Sequence, residues 1–187
     1  MPEDAGNTSR WRVLGERTLY DNPWVRLSQR EVEPPGEAPF WHHVVHLRNV
    51  AVAVVLNDEG QVLMLRRHRF VPDQVGWELP GGFPEPGESF AEAAAREAEE
   101  ETGWRPLGKP ERISAFHPIP GMVDARHELF LFRGARFIGS PTDKEEAGSV
   151  AWIPRDTIPT LLQEGKALGS GTLVGLLLLL SGSAYQG

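Results

Sequence analysis

The run of apolar residues Val50–Leu56 (VAVAVVL) constrains the fold of this chain more than any other segment. A strand with apolar side chains on both faces has to be covered on both faces, as in a sheet that lies between helices. The turn Asn57–Gly60 follows it, and Gln61–Arg66 is predicted to be the second arm of a hairpin. We therefore expect an α/β (α+β) architecture, with a mixed sheet and helices on both of its faces.

Other strands are predicted from β-branched and aromatic runs that lie between turn signals. They are Trp11–Tyr20, Trp24–Val32, Phe40–Leu47, Arg112–His117, His127–Phe132 and Ser149–Ile153. Glu78–Gly87 is predicted to be a loop, and helices are predicted over Ser89–Thr102, Asp156–Glu164 and Leu173–Leu180, the last of them capped by Thr172. We divide the chain into a flexible leader (1–10), a β-rich N-terminal segment (11–47) and a main domain (48–187).

Composition excludes several classes of protein. The chain has 187 residues, of which 40% are hydrophobic and 24% charged, and this suits one globular domain. Its net charge of -7 argues against nucleic acid as a partner, and the absence of cysteine excludes disulfides and thiolate zinc sites. The polar start lacks the apolar region of a secretory signal, and Leu173–Leu180 is too short to span a membrane, so we expect a cytoplasmic protein.

The predicted helix Ser89–Thr102 carries the most informative pattern. Ser89 and Glu92 have capping-box spacing, and Gly103 stands where a helix-ending glycine is common. One narrow face is made of small side chains, which let a helix approach a sheet closely. Three glutamates, Glu97, Glu100 and Glu101, project from the adjoining face, where like charges at this spacing destabilise a helix.

A bound cation would offset the repulsion among these three glutamates. Arg96 lies one turn before Glu100 and can pair with it, and the preceding Gly81-Gly82 lets the backbone approach a ligand closely. Carboxylates that face a glycine-rich loop form an oxygen-only site, which suits Mg²⁺. The alternative is a solvated acidic helix face.

The segment Gly82–Trp104 (GFPEPGESFAEAAAREAEEETGW) resembles the Nudix box, G-x5-E-x7-R-E-U-x-E-E-x-G-U with U apolar, at every defined position. These positions are Gly82, Glu88, Arg96, Glu97, Ala98, Glu100, Glu101, Gly103 and Trp104. The resemblance implies the Nudix fold, an α/β/α sandwich around a mixed sheet, here with a β-rich N-terminal extension. It also implies a hydrolase of nucleoside diphosphates linked to another moiety, with Mg²⁺ or Mn²⁺ as cofactor.

The same resemblance implies roles for individual residues. The metal ligands would be Glu97, Glu100, Glu101 and the carbonyl group of Gly81. Arg96 would orient the carboxylates, with Glu88 as a further support, and Arg96 and Glu101 would both belong to the catalytic set. A carboxylate beside a metal-bound water can act as general base.

Outside the box, the chain is similar to ADP-ribose pyrophosphatases. Arg69 and Glu78 stand where those enzymes contact the substrate, and Pro120, sixteen residues after Trp104, is similar to a proline of the ADP-sugar group. Trp24 is a candidate for stacking on adenine, although a tryptophan beside a strand more often belongs to a core or an interface. Many ADP-ribose pyrophosphatases have alanine at the position of Gly81, which therefore does not favour this branch.

Two further features are interpreted through the family. Glu145 and Glu146 precede the strand Ser149–Ile153, where many Nudix enzymes place an additional glutamate, and we favour Glu146 as a catalytic residue. The alternative is a turn with two solvated acids. The β-rich N-terminal segment implies a homodimer, and the alternative is that it extends the sheet of a single subunit.

The sequence thus predicts metal-dependent hydrolysis of ADP-ribose, or of a related nucleoside diphosphate sugar, to AMP and a sugar phosphate. The substrate would be a small molecule, with neither nucleic acid nor membrane as a partner. The alternatives are another nucleotide, such as GDP-mannose, a dinucleoside polyphosphate or an oxidised nucleoside triphosphate, and a nucleotide-sugar sensor that does not cleave. The preferred base and sugar, the number of metals and the catalytic base are left open.

Overall fold

The computed structural model describes residues 10–142 and 148–182. The chain divides into two compact units. The first contains the described residues up to Arg48 together with Ile119–Ala125, and the second contains Asn49–Pro118 and the described residues from Arg126 onward.

The first unit is a four-stranded sheet. Its order is β1 (Arg12–Asp21), β2 (Arg26–Glu33), β3 (Phe40–His46) and β10 (Val123–Asp124). The first three strands are antiparallel, and β10 pairs with β3 in parallel. The turn between β1 and β2 is closed by Asn22, whose Oδ1 accepts hydrogen bonds from the backbone N–H groups of Trp24 and Val25, each at 2.8 Å. This is the turn chemistry that favours asparagine at such a position.

The second unit is built on one mixed sheet. Its strands are β4 (Val50–Leu56), β5 (Val62–Arg69), β6 (Gln74–Glu78), β7 (Gly81–Gly82), β9 (Glu111–Phe116), β11 (His127–Arg133) and β13 (Ser149–Ile153). A small separate sheet pairs β8 (Trp104–Pro106) with β12 (Ala135–Phe137). The helices are α1 (Phe90–Thr102), α2 (Ile158–Gln163), which follows a 3₁₀ turn at Arg155–Thr157, and α3 (Ser170–Leu180).

Strand β4 shows why this sheet is covered on both faces. Alternate side chains of a strand point to opposite faces. Val54 packs in a core cluster with Leu176 of α3, whereas Ala53 packs with Ala94 of α1. The sheet is mixed, because β11 runs parallel to β4 and antiparallel to β9. The predicted α/β/α sandwich is confirmed.

Two local predictions were wrong. Part of the stretch predicted to be a loop, Glu78–Gly87, is strand, because β6 ends at Glu78 and Gly81–Gly82 pairs with β4. Two glycines carry no side-chain periodicity, so this pairing has no sequence signal. Thr172 does not cap the last helix, which begins at Ser170. The Thr172 hydroxyl instead accepts a hydrogen bond from the backbone N–H of Leu79 at 3.0 Å.

Across the part of the chain that the structure describes, no helix has the length and apolar character needed to cross a bilayer.

Candidate active site

Helix α1 is fixed at both of its ends. At the start, the Ser89 hydroxyl accepts from the backbone N–H of Glu92, and the Glu92 side chain accepts from the backbone N–H of Ser89, which completes the predicted capping box. At the end, Gly103 adopts the left-handed conformation, with φ of 74°. A Cβ atom there would collide with the carbonyl oxygen of Gly139, so glycine is required for two reasons. The helix therefore presents its side chains from a defined position.

The guanidinium group of Arg96 gathers three carboxylates of the box. Its Nη1 donates to Glu97 Oε1 and to Glu100 Oε2, each at 3.0 Å. Its Nε and Nη2 donate to the two carboxylate oxygens of Glu88 at 2.9 and 3.0 Å. This bidentate contact lowers the pKa of Glu88 and raises the pKa of Arg96. The structure thus brings Glu97 and Glu100 together at one cationic group.

Glu101, the third predicted metal ligand, lies in a different environment. It is buried, and its Oε1 accepts a hydrogen bond from Arg67 Nη1 at 2.7 Å. Its Oε2 accepts from the backbone N–H of Gly81 at 2.9 Å. Burial raises the pKa of Glu101, although the charge of Arg67 opposes the rise. The contact of Gly81 with this box carboxylate is made by its N–H group, and the predicted role of its carbonyl group as a metal ligand stays a prediction.

Sequence reasoning missed Arg67, which connects α1 with strands β5 and β6. This arginine is buried and also donates from Nε to Glu78 Oε2 at 2.9 Å. The alternation of side chains along β5 could have indicated that Arg67 is buried. Arg67 lies on the same face of the strand as Leu63, which packs against α1. A buried charge must be paired, and the pairing with Glu101 spans 34 positions of sequence.

Arg69 and Glu78, the predicted substrate-binding pair, lie together at the wall of a cavity of about 280 Å³. Arg69 donates to Glu78 from Nη2 at 2.6 Å and from Nε at 2.9 Å. Burial opposes the charge on Glu78, but hydrogen bonding from Arg69 and the charges of both arginines outweigh it, so its pKa is lowered. The cavity is also lined by Arg67, Gly81, His127 and the chain around Gly169–Thr172.

Gly82, the second residue of β7, is a glycine because its backbone lies very close to the Glu97 side chain. A Cβ atom on Gly82 would collide with the carboxylate of Glu97, so only glycine leaves that carboxylate where Arg96 holds it. The loop and the helix of the box thus meet at the Glu97 side chain.

The remaining predicted site residues are not brought to this cluster by any described contact. Trp24 and Pro120 belong to the first unit, and Trp24 is 72% exposed. Glu145 and Glu146 lie outside the described residues. Their roles stay predictions.

The cluster fits a divalent cation in its donor chemistry. All the candidate ligands are oxygen atoms, which Mg²⁺ and Mn²⁺ favour. Glu97 and Glu100 converge on one cationic nitrogen, so the space between them favours positive charge. Within residues 10–142 and 148–182, however, no group of three or more Asp, Glu or His side chains has the arrangement of a metal site. Arg96 occupies the position between Glu97 and Glu100, and Arg67 pairs with Glu101.

Comparisons with known proteins agree with the box and the fold. Residues 46–170 match the NUDIX domain. A CMP-5'-(N-acetyl-N-hydroxy-3-aminopropyl)phosphonate hydrolase from Streptomyces rubellomurinus is 43% identical over 178 residues, covering 95% of this chain and 86% of that protein. An ADP-ribose pyrophosphatase from Bacillus subtilis is 33% identical over 121 residues, 64% of either chain.

A crystal structure of an ADP compounds hydrolase shares the fold. It matches with a TM-score of 0.81 over 98% of this chain and 99% of that chain, at 16% sequence identity. The domain match covers more than half of the chain and includes the whole box. The chain therefore belongs to the Nudix hydrolase family and, within that family, is similar to the ADP-ribose pyrophosphatases.

Proposed function

We propose that this enzyme hydrolyses the diphosphate bond of ADP-ribose, or of a related nucleoside diphosphate sugar, and releases AMP and a sugar phosphate. One observation carries the proposal. Gly81 and Arg67 line the cavity that holds Arg69, and both contact Glu101 of the box helix. A substrate in this cavity would lie one residue away from Glu101, on the far side of Arg67 and Gly81. The similarity to an ADP-ribose pyrophosphatase supports the choice of substrate class.

The residues divide into those that hold a metal and those that hold the diphosphate. Glu97, Glu100, Glu101 and the Gly81 carbonyl group would hold Mg²⁺ or Mn²⁺, with Arg96 orienting the carboxylates. A divalent ion at such a site neutralises phosphate charge, activates water and stabilises the leaving group.

Arg69 offers a planar set of N–H donors that matches phosphate oxygens, and Glu78 holds it in orientation at 2.6 Å. Glu146 remains our candidate for assisting water.

A second candidate substrate is a nucleotide joined to a phosphonate. The relative from Streptomyces rubellomurinus, with 43% identity across 95% of this chain, is named for the hydrolysis of such a CMP conjugate. The box chemistry would be the same for both substrates, because each is an anhydride between a nucleoside monophosphate and a second phosphorus acid. In each case hydrolysis releases the nucleoside monophosphate. The two candidates differ in the base and in the group beyond the bond that breaks.

We further infer that the enzyme acts as a cytoplasmic homodimer with a small-molecule substrate. Strand β1 pairs only with β2 among the described strands of its sheet and exposes Val13, Leu19 and Tyr20. An edge strand with exposed apolar side chains suits pairing with a second copy. The net charge of -7 supports a phosphate ligand that arrives with a cation, rather than a nucleic acid.

The test is a product assay with matched variants. We expect purified protein to convert ADP-ribose into AMP and ribose 5-phosphate with Mg²⁺, and EDTA to abolish this. Glu100→Gln should lower turnover by orders of magnitude and leave the fold intact, since its side chain is 45% exposed. Glu99→Gln is the control, because Glu99 lies on the same helix and pairs with Arg105 outside the box.

Two outcomes would contradict this proposal. Wild-type turnover in Glu100→Gln would show that this carboxylate of the box helix is not needed for hydrolysis. Release of CMP from a cytidine–phosphonate conjugate, without release of AMP from ADP-ribose, would favour the second candidate.

A further inference from the structure

His127 is a cavity residue that the proposed chemistry does not use. It is the first residue of β11 and lines the cavity with Arg69 and Glu78. It shares a face of β11 with Leu129, which packs in the core cluster that includes α3. Its ring packs against Phe116, with centroids 5.3 Å apart and an angle of 54° between the planes. Packing thus fixes the imidazole at the cavity wall.

The Nδ1 atom of His127 is buried and has no hydrogen-bond partner among the described residues. A buried polar atom without a partner is unfavourable, so a ligand that supplies one gains affinity. Two orientations of an imidazole that differ by about 180° fill nearly the same packed space and exchange Nδ1 with a ring carbon, so a ligand can select between them without repacking. His127 is therefore able to bind a polar group of a ligand.

The imidazole suits a neutral partner. Burial lowers the pKa of His127, and the nearby charge of His117 lowers it further, so the ring is neutral at neutral pH. A neutral imidazole has one nitrogen that donates and one that accepts a hydrogen bond. A hydroxyl group can do both, so it can pair with either nitrogen. A hydroxyl-bearing ligand can thus satisfy the ring without burying a net charge.

The size and lining of the cavity indicate which part of a substrate it takes. A volume of about 280 Å³ lies just below the roughly 300–1,000 Å³ of pockets that enclose a drug-sized ligand, so it fits one moiety. None of the described lining residues is Phe, Tyr or Trp, the rings on which a base would stack. The lining does include Ser170, Thr172 and Glu78, which match the hydroxyl groups of a sugar.

We propose that His127 is a specificity-determining residue that hydrogen-bonds a hydroxyl group of the sugar beyond the diphosphate. This inference rests on the proposed function, because it assumes a substrate that carries such a sugar. It assigns the cavity to the non-nucleotide half of that substrate.

Steady-state kinetics of His127→Phe test the proposal, because phenylalanine keeps a ring against Phe116 and removes both nitrogens. Two substrates are compared, ADP-ribose and the β-methyl ester of ADP, in which a methyl group replaces the terminal sugar. We expect kcat/KM for ADP-ribose to fall about tenfold, mainly through KM, and the value for the methyl ester to change less than about twofold. His68→Phe is the control, since it makes the same replacement at a histidine that is exposed and does not line the cavity.

Equal losses on both substrates, or no loss in a variant with wild-type thermal unfolding, would overturn the proposal. A second measurement does not depend on turnover. The imidazole NMR signals of His127 should shift on addition of ribose 5-phosphate in EDTA, and AMP should leave them unchanged. A shift with AMP alone, or with neither compound, would overturn the assignment. Failure of the wild type to cleave ADP-ribose would refute ADP-ribose as the substrate, and this titration would still decide the role of His127.

Discussion

Replacing Arg67 with methionine would leave one buried carboxylate without a cationic partner. The side chains of Arg67 and Glu101 are only 7% and 4% exposed, and their charged groups are 2.7 Å apart. The second partner, Glu78, would keep Arg69, whose Nη2 lies 2.6 Å from its carboxylate. The substitution therefore leaves only the Glu101 carboxylate without a cationic partner.

The expected loss of stability follows from the single unpaired carboxylate. Removing one partner of a buried ion pair costs about 3–5 kcal/mol. At about 2–4 °C per kcal/mol for a chain of this length, the melting temperature should fall by roughly 6–20 °C.

This deficit should depend on pH. Burial already raises the pKa of Glu101, and loss of Arg67 would raise it further. A carboxylate with a raised pKa destabilises the fold at neutral pH, and the loss is recovered as falling pH protonates it. The pKa of Glu78 is lowered, so its contribution in the wild type is present above its unfolded pKa and is lost as pH falls. Between neutral pH and about pH 5 the deficit should therefore shrink through Glu101, whereas the contribution of Glu78 changes only below its unfolded pKa.

Urea unfolding followed by tryptophan fluorescence, at about pH 7 and about pH 5, measures this difference. Arg66→Met is the matched control, because Arg66 is the neighbouring residue of β5 and is exposed. If Arg67→Met lost no more stability than Arg66→Met, Arg67 would not compensate a buried charge. An equal deficit at both pH values would show that packing, and not charge, causes the loss.

Two further predictions concern the box loop and the N-terminal sheet. Gly82→Ala should displace the Glu97 carboxylate, so EDTA-sensitive turnover should fall while thermal unfolding stays close to wild type, because the Cβ atom would meet only the end of a flexible side chain. Unchanged turnover would separate Glu97 from the chemistry. Light scattering should give the mass of a dimer for the wild type and of a monomer for Val13→Glu. Val13 is 62% exposed on the edge strand β1, where a charge would oppose pairing with a second copy. A monomeric wild type would refute the dimer.

Periodic and local signals predicted most of the fold. The strands Val50–Leu56 and Ser149–Ile153 have the predicted bounds, and the capping box at Ser89 forms as the spacing indicated. Each of these signals is contained in a short window, where side-chain alternation or a capping group decides the structure. The family followed from residues within one such window.

Contacts between distant segments were not predictable in the same way. The last helix begins before Thr172, whose hydroxyl group instead accepts a hydrogen bond from the backbone of Leu79, 93 positions away. The pairing of Gly81–Gly82 with β4 depends on backbone groups, which leave no pattern in the sequence. In both cases a tertiary contact decides what local propensity leaves open.

The three box glutamates show the same limit at the site. Helical spacing places them together on one face, and from that spacing they are equivalent candidates for a metal. The structure separates them, because Glu100 is 45% exposed on the Arg96 network whereas Glu101 is 4% exposed and held by Arg67 from another strand. A change at Glu101 therefore affects stability together with any role in the chemistry, since it leaves the buried charge of Arg67 without this partner. A change at Glu100 removes a candidate ligand with little cost in burial, so Glu100 is the position at which catalysis can be separated from stability.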